Sequence, residues 1–334
     1  MTLIAACITA LVVWLTPFIA DAPVVFVRSI DHEAERQATI LFGGDMMFDR
    51  SIREVANENG DDFLFSCIHD TLRDADLVVA NLEGPITTYP STSIGSAPGD
   101  NMNFTFTFPT STALLLKRHN ISLVNIGNNH TMNFNREGLV QTKEWLDKAG
   151  VSYFGDPEAL EADKVARLTI HGIPFSFVNW SDWTPLDSRE ATSNGAGVQN
   201  PVVKQIRREA ESGHVTVVYA HWGEEYAPPT PPMRQLARSF VDAGAAIVIG
   251  SHPHVVQEHE IYKGKNIYYS LGNFVFDQYW DDDVRTGLLL RVVFGPSTTA
   301  SYNEAGYGAG KTDVVEVKEI PIYLEKDRRT CPKE

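Results

Sequence analysis

The sequence predicts a layered α/β fold, and three of its features lead to that expectation. Short apolar runs rich in Val, Ile and Phe recur along the chain, as is typical of strands buried on both faces. Patterns of helical period lie between these runs, and glycines closely follow three of them, as at the C-terminus of a helix. Strands and helices that alternate in this way form a sheet covered by helices.

The predicted elements extend over most of the chain. The apolar runs that predict strands are 39–43, 76–80, 122–126, 174–179, 215–220, 245–250 and 266–271. The patterns that predict helices are 110–119, 137–148, 202–211 and 233–243. Near the C-terminus, "GLLLRVVFG" and "VVEVKEIPIYL" flank a Gly-rich stretch at 303–311 and predict antiparallel strands. Residues 85–103 are rich in Pro, Ser and Gly and are too long for a simple connection.

The first twenty residues, "MTLIAACITALVVWLTPFIA", contain no charged side chain and are long enough to span a bilayer as a helix. We favour an uncleaved anchor over a cleaved signal peptide, because no Lys or Arg precedes the apolar run. A buried N-terminal helix is a third alternative, but the segment has no polar face. The predicted organisation is an anchor or signal segment at 1–20, a tether at 21–37, one domain at 38–326 and a tail at 327–334.

Charge and cysteine content limit the kinds of ligand. The chain has 43 Asp and Glu against 28 Lys and Arg, so nucleic acid is not an expected partner. The three cysteines, Cys7, Cys67 and Cys331, are too few for a cysteine-based zinc site. Cys67 and Cys331 can pair in an oxidising compartment, although two cysteines alone do not establish a disulfide. Any metal site must therefore use His, Asp, Glu and Asn.

Polar side chains stand at the ends of several predicted strands. In an open α/β sheet, ligands bind in the crevice outside the carboxyl ends of the strands. Side chains that follow different strands are therefore expected to meet at one edge of the sheet. The residues in such positions are Asp45, Glu83, Asn129, His130, His221, His252, His254 and Asn273.

These residue types predict a metal site. Imidazole nitrogens together with carboxylate and amide oxygens suit Mn, Fe or Zn better than Ca or Mg, which prefer all-oxygen shells. Six candidate ligands exceed the four that one tetrahedral zinc ion needs, so we expect one or two ions, with a carboxylate bridging a pair. The predicted ligands are Asp45, Glu83, Asn129, His221, His252 and His254.

The motifs "GGDMMFDR", "NLEGP", "GNNH", "HWGEEY", "SHPHVVQ" and "YSLGNFVFDQ" follow one another from about residue 39 to 280. They resemble the successive motifs of the CapA-type (PgsA) family of poly-γ-glutamate capsule synthesis and export. That family is in turn similar to the calcineurin-like metallophosphoesterases. The resemblance implies a layered α/β/β/α sandwich of metallophosphoesterase type with C-terminal antiparallel strands, and a domain outside the cytoplasm.

The resemblance also implies roles for single residues. Glu83 stands where metallophosphoesterases place the metal-bridging Asp, and the other predicted ligands match ligand positions of their motifs. His130 resembles the histidine that protonates the leaving group or steadies the transition state. Arg50 is expected to hold an anionic carboxylate or phosphate through bidentate contacts, and Asn273 is the second predicted substrate contact.

Two positions depart from the metallophosphoesterase pattern. Met47 stands two residues after Asp45, where these enzymes usually carry a histidine ligand. One of two metal positions therefore loses a ligand. Asn133 occupies a place where family members often have Asp, which alters a contact behind the ligands.

Two functions of different classes remain open from the sequence. The first is a metal-dependent hydrolase that uses metal-activated water on a phosphoester or on the γ-glutamyl amide of an anionic polymer. The second is a non-catalytic, polymer-binding subunit of a membrane synthesis complex with a structural or vestigial metal site. Membrane polymer-synthase subunits are possible partners in either case, with attachment to the membrane through the N-terminal segment.

Overall fold

Two β-sheets and their covering helices make up the computed structural model, which describes residues 36–160, 164–183, 200–296 and 312–333. The strands are β1 (Ala38–Met46), β2 (Leu77–Leu82), β3 (Ile121–Asn125), β4 (Ser152–Phe154), β5 (Ala166–Ile170), β6 (Ile173–Ser181), β7 (Val215–His221), β8 (Ile247–Ser251), β9 (His259–Tyr262), β10 (Lys265–Tyr268), β11 (Asn273–Val275), β12 (Thr286–Pro296), β13 (Thr312–Leu324) and β14 (Thr330–Pro332). The helices are α1 (Arg50–Asn59), α2 (His69–Arg73), α3 (Thr112–Arg118), α4 (Asn135–Ala149), α5 (Pro201–Glu211), α6 (Pro231–Ala243) and α7 (Asp282–Arg285), with short 3-10 turns at Asp61–Phe65 and Asn101–Phe104.

The first sheet has the strand order β14-β13-β12-β1-β2-β3-β4, with β11 also paired to β1. Strands β1 to β4 run parallel, whereas β12, β13 and β14 extend the sheet in antiparallel fashion. The second sheet has the order β5-β6-β7-β8-β10-β9. Its four central strands are parallel, and only the outer strands β5 and β9 pair antiparallel. Each sheet therefore gathers the carboxyl ends of its central parallel strands at one edge.

The two sheets pack face to face, and helices cover their outer faces. The sequence of β1 is apolar at successive positions because the side chains of a strand alternate between its two faces, and both faces of β1 are buried. Ile40 and Phe42 join the core between the sheets, while Leu41 joins the core under α1 to α4. A third core lies between the second sheet and the pair α5 and α6. The layers are thus α/β/β/α, which confirms the predicted fold class.

The four helices predicted from the sequence are present as α3, α4, α5 and α6, within about two residues at either end. Local chemistry sets their limits. The Asn200 side chain accepts hydrogen bonds at the start of α5, and Thr230 does the same for α6. A proline occupies the first turn of both helices, and α4 ends at Gly150 in the left-handed conformation (φ 67°).

Some predictions concern parts of the chain outside the described residues. These are the anchor at 1–20, nearly all of the tether at 21–37 and the Gly-rich stretch at 303–311. Among the residues that are described, no helix is both long and apolar enough to cross a membrane. Residues 330–332, which the sequence assigns to a tail, form the edge strand β14 instead. A disulfide between Cys67 and Cys331 attaches this strand to the segment before α2.

Candidate metal centre

Five strands bring the six predicted ligands together at one edge of the sandwich, with Asn129 in the loop after β3. Asp45 lies near the end of β1, Glu83 directly follows β2, and His221 is the last residue of β7. The loop after β8 carries His252 and His254, whose φ values are 95° and 59°. Positive φ costs a non-glycine residue on the order of 1–3 kcal/mol, and such strain is concentrated at functional sites.

Two groups of buried side chains have the spacing of metal ligands. Glu83, His252 and His254 form one group, and Asp45, Glu83 and His221 form the other. Within each group, one ligand atom per residue lies within 4.8 Å of the others. Both groups contain Glu83. Two adjacent groups that share a carboxylate have the arrangement expected for two ions bridged by one side chain.

Unpaired buried atoms show that these residues fit a cation. Glu83 Oε1 and His252 Nδ1 are buried, and neither finds a hydrogen-bond partner within the described ranges. Leaving such an atom unsatisfied costs about 1–3 kcal/mol, so it calls for an explanation such as a bound ion. Burial also raises the pKa of Asp45 to about 6 and raises that of Glu83 well above its usual value. A cation at this position would relieve both penalties.

The histidines of the site are in the protonation state that metal binding requires. Burial lowers the pKa of His252 to about 4 and lowers the pKa values of His221 and His254 well below the usual range. All three imidazoles are therefore neutral at pH 7, each with one nitrogen lone pair available. A metal ion needs deprotonated ligands, and here burial has already supplied them.

Both nitrogens of the His221 ring have polar neighbours. Ser251 Oγ, which donates to the Ala220 carbonyl, lies 3.0 Å from His221 Nδ1, and Asn81 Nδ2 lies 3.3 Å from the same nitrogen. On the other side of the ring, His221 Nε2 lies 2.8 Å from Asn129 Oδ1. A cation bound beside Nε2 could therefore take both this nitrogen and the Asn129 oxygen as ligands.

Asn81 connects the site, although the sequence analysis did not select it. Its Nδ2 donates to Asp45 Oδ1 at 2.8 Å and lies 3.4 Å from Glu83 Oε2. Its Oδ1 accepts hydrogen bonds from Asn125 (3.0 Å) and Asn128 (3.1 Å). Alternation along β2 was the available signal, because residues 81 and 83 point to the same face of a strand.

Asn273 does not have the role predicted for it. It is fully buried, so a substrate cannot reach it as a predicted contact would require. Its Oδ1 accepts a hydrogen bond from His254 Nδ1 at 2.9 Å, and its Nδ2 donates to Gln278 Oε1 at 3.0 Å. This contact leaves His254 Nε2 facing Glu83 Oε1 at 3.7 Å. Asn273 therefore orients a predicted ligand, which is the usual task of residues behind a metal-binding histidine.

His130 lies beside the ligand groups with its Nε2 3.9 Å from Glu83 Oε1. Asn133 Oδ1 accepts hydrogen bonds from His130 Nδ1 (3.1 Å) and from the Phe106 backbone amide (2.9 Å). Asn133 thus makes the contact expected of the usual Asp, but without its charge. Burial lowers the pKa of His130 to about 4, so the ring is neutral at pH 7.

Arg50 is held in place at the border of the site. Its Nη2 donates to Asp277 Oδ1 at 2.5 Å and its Nη1 donates to Asn103 Oδ1 at 3.1 Å. The guanidinium lies between the rings of Phe106 and Phe276, at 5.0 and 5.6 Å from their centres. Asp277 is therefore the counter-charge of the predicted substrate arginine.

The C-terminal segment supports this arginine from behind. Arg328 Nε donates to Ser51 Oγ at 2.9 Å, and Ser51 Oγ donates in turn to Asp277 Oδ2 at 3.1 Å. The disulfide lies close by in sequence and joins cysteines that are 264 residues apart. The residues predicted as a tail therefore contribute to the position of Arg50 through two intermediate side chains.

Met47 takes no part in either ligand group. It is fully buried in the core under the helices, and its Sδ accepts the backbone N–H of Asp49 at 2.9 Å. The two groups therefore contain three side chains each, Glu83 being counted in both.

Comparisons with known proteins give a consistent result. Residues 39–278 match the family model described as "Bacterial capsule synthesis protein PGA_cap". The chain is 31% identical over 264 residues to the "Capsule biosynthesis protein CapA" of Bacillus anthracis, covering 76% of this chain and 63% of that protein. It is 32% identical over 308 residues to the "PGA biosynthesis protein CapA" of Bacillus subtilis (strain 168), covering 86% and 77%.

A third relative is more distant. The "Probable polyglutamine synthesis accessory protein MT0602" of Mycobacterium tuberculosis is 28% identical over 173 residues, covering 46% of this chain and 44% of that protein. The chain thus spans less than two thirds of the Bacillus anthracis relative and about three quarters of the Bacillus subtilis one.

Proposed function

Since the chain belongs to the PGA_cap family of bacterial capsule synthesis proteins, we propose that it serves poly-γ-glutamate synthesis or export outside the cytoplasm as a metal-dependent hydrolase. Its similarity to the two Bacillus CapA proteins supports the role in capsule synthesis. Hydrolysis and location go further than this similarity and depend on the chemistry of the chain itself.

One observation carries the proposal of hydrolysis, namely that two buried ligand groups share Glu83. Asp45, Glu83 and His221 with Asn129 would hold one ion, and Glu83, His252 and His254 would hold the other. Divalent ions bound there would lower the pKa of water toward about 7 and polarise the bond to be cleaved. The mixed nitrogen and oxygen donors favour Mn, Fe or Zn.

The remaining side chains have roles that follow from their contacts. His130 directs its Nε2 to the site, 3.9 Å from Glu83 Oε1, where it can exchange a proton with a leaving group. Asn133 fixes the orientation of that ring, as Asn273 does for His254. Arg50 offers a guanidinium to a carboxylate or phosphate oxygen, although Asp277 already neutralises much of its charge.

Two observations support a location outside the cytoplasm. The Cys67–Cys331 disulfide is of a kind that persists in oxidising compartments and is rare in the cytosol. The uncharged segment at 1–20 has the length of a membrane anchor or the core of a signal peptide. We propose that the domain lies on the outer side of the cell membrane, attached through this segment or released after its cleavage.

The second candidate function is a non-catalytic subunit that binds the polymer within a membrane synthesis complex. Met47 favours it, because a methionine engaged with the Asp49 backbone replaces a usual metal ligand.

Turnover by the metal-loaded protein distinguishes the two candidates. We would assay a phosphodiester, bis(p-nitrophenyl) phosphate, and an amide, γ-glutamyl-p-nitroanilide, with His130→Gln as test variant. His259→Gln serves as the matched control, because His259 lies on the edge strand β9. A hydrolase should lose about 100-fold or more of its rate in His130→Gln and none in the control. If the metal-loaded protein hydrolyses neither compound and no γ-glutamyl oligomer, the non-catalytic assembly role is the candidate that remains.

A further inference from the structure

Four aromatic side chains are exposed on the part of the chain that the structure describes, and all four belong to segments that contact the candidate metal centre. They are Phe104, Trp183, Tyr226 and Trp280, with exposed fractions between 42% and 65%. We call these four side chains the aromatic rim. Large aromatic side chains normally bury their surface, and contiguous exposed ones mark binding sites.

Contacts between rings place the rim around the ligand groups. The Trp183 ring lies 4.2 Å from the His252 ring and 5.5 Å from that of His221, measured between centroids. On the other side, the Tyr226 ring lies 6.0 Å from His254 and 5.6 Å from Trp280.

The third side of the rim is formed by the long segment before β3. Phe104 follows Asn103, which accepts a hydrogen bond from Arg50, and it lies two residues before Phe106, whose ring lies 4.4 Å from that of His130. These contacts tie the segment to the site.

Tyr226 is held in place by polar contacts rather than by burial. Its backbone has φ 60°, its N–H donates to the Pro253 carbonyl at 2.9 Å, and its hydroxyl accepts from Gln278 Nε2 at 2.9 Å. Gln278 also bonds Asn273, which orients His254. The ring thus keeps a fixed position relative to the metal centre while its face stays open to solvent.

The charged residues next to the rim in sequence are acidic. Glu225 directly precedes Tyr226, Asp281, Asp282 and Asp283 directly follow Trp280, and Arg50 is already paired with Asp277. The group that rests on a ring face is therefore expected to be flat and uncharged. Secondary amides meet both conditions, because they are planar and neutral and their N–H can point at a ring face. In a γ-glutamyl chain the carboxylates are side branches, so they can point away from the rim while the amides stack.

We infer that the aromatic rim is the substrate-binding surface of this protein and takes a polyamide chain, with successive amide planes stacked on Trp183 and on Tyr226 and Trp280. The inference rests on the proposed function, which places a γ-glutamyl amide over the metal centre. It adds the residues that hold the amide planes beside the metal centre.

Tryptophan fluorescence tests the inference without any need for turnover. The probe is a γ-glutamyl oligomer of about ten residues, titrated into the full chain, since an exposed indole changes its emission when a ligand covers it. Inorganic phosphate and a chitin oligosaccharide are titrated separately as the two competing chemistries. Trp183→Ala and Trp280→Ala are the test variants, Trp183→Phe is the conservative one, and Ile261→Ala removes an exposed apolar side chain from β9 as control.

We expect both alanine variants to bind the oligomer at least tenfold more weakly, read by competition with a labelled oligomer where the fluorescence change itself is lost. Trp183→Phe should stay within about threefold of the wild type, and Ile261→Ala should be unchanged. No binding of the oligomer, or equal binding by all variants, would overturn the inference. So would a rim-dependent affinity for phosphate or the oligosaccharide in place of the oligomer.

The same proteins separate this inference from the proposed hydrolase. Rim-dependent binding without turnover would support the rim as the binding surface and refute the proposed hydrolase. Turnover of γ-glutamyl amides that does not depend on Trp183 or Trp280 would support the hydrolase and refute the role of the rim.

Discussion

Glu83 Oε1 lies 3.7 Å from His254 Nε2, fully buried, and no donor of the described chain reaches this oxygen. The other carboxylate oxygen, Oε2, lies 3.4 Å from Asn81 Nδ2. One side chain thus belongs to both ligand groups while half of its carboxylate is unsatisfied. A protein keeps such an arrangement when a cation completes it, because an unpaired buried charge is strongly destabilising.

Replacing Glu83 by glutamine should therefore separate metal binding from stability. Glu83→Gln keeps the shape of the side chain but removes the charge shared by the two groups, so we expect bound metal to fall below a tenth of the wild-type content. The metal-free variant should unfold at the same temperature as the chelated wild type or higher, because a buried carboxylate has been neutralised. Elemental analysis and thermal melting measure the two effects. A variant that retains its metal would show that Glu83 is not the bridge.

Asn81 should be a structural requirement of the site even without metal. Asn81→Leu removes the donor to Asp45 and the acceptor of Asn125 and Asn128, so we expect a loss of about 2 kcal/mol in the free energy of unfolding of the chelated protein. Urea unfolding gives this value. Asn57→Leu, on the exposed part of α1, should change it by less than about 0.5 kcal/mol. Equal effects of the two substitutions would refute the role given to Asn81.

His119 should make the free energy of unfolding depend on pH. It is not a member of either ligand group. Its Nε2 lies 2.8 Å from Asp62 Oδ1 and its Nδ1 lies 3.0 Å from His69 Nδ1, and burial lowers its pKa. The folded pKa is therefore below the unfolded value of about 6.5. The contribution of neutral His119 to the free energy of unfolding is complete above about pH 6.5. It is lost as the pH falls toward the folded pKa, since the unfolded chain binds the proton more readily.

The measurement is the free energy of unfolding of the chelated protein between pH 7.5 and 5. The wild type should lose more stability over this range than His119→Gln, which keeps a donor for Asp62 but cannot titrate. Other histidines titrate in both proteins, so the difference between the two slopes isolates His119. Parallel slopes would contradict the account.

The disulfide should contribute measurably to stability because it closes a very long loop. Cross-linking residues 264 apart removes conformational entropy from the unfolded chain, and we expect the Cys67→Ser/Cys331→Ser variant to lose about 2–4 kcal/mol. Urea unfolding with and without reductant measures the loss. The reductant should destabilise the wild type by a similar amount and leave the double variant unchanged. A wild type that does not respond to reductant while unfolding would argue against a disulfide.

Much of the fold could be predicted because the central strands are buried on both faces. Residues 39–43 and 76–80 are apolar throughout for that reason, and both strands appear where the sequence placed them. The sheet-edge argument also brought Asp45, Glu83 and the three histidines to one place, since it needs only the strand ends and the parallel order. These predictions depend only on the local order of apolar and polar residues, which can be read directly from the sequence.

Other features depend on contacts that no local pattern reports. In the sequence, Asn81 is simply a polar residue of a strand. Only the folded chain shows that five side chains from four segments contact it. Asn273 follows a strand as the ligands do, yet it is buried behind His254 and cannot contact substrate. Tyr226 and Trp280 lie 54 residues apart, and only the folded chain shows that their rings meet beside the site.

Metal content of the purified protein tests the central claim most directly, measured by elemental analysis beside a His252→Ala/His254→Ala variant. We predict about one or two equivalents of Mn, Fe or Zn in the wild type and none in a variant that remains folded. A wild type that binds no metal even after reconstitution, or a variant that keeps the wild-type content, would contradict the account.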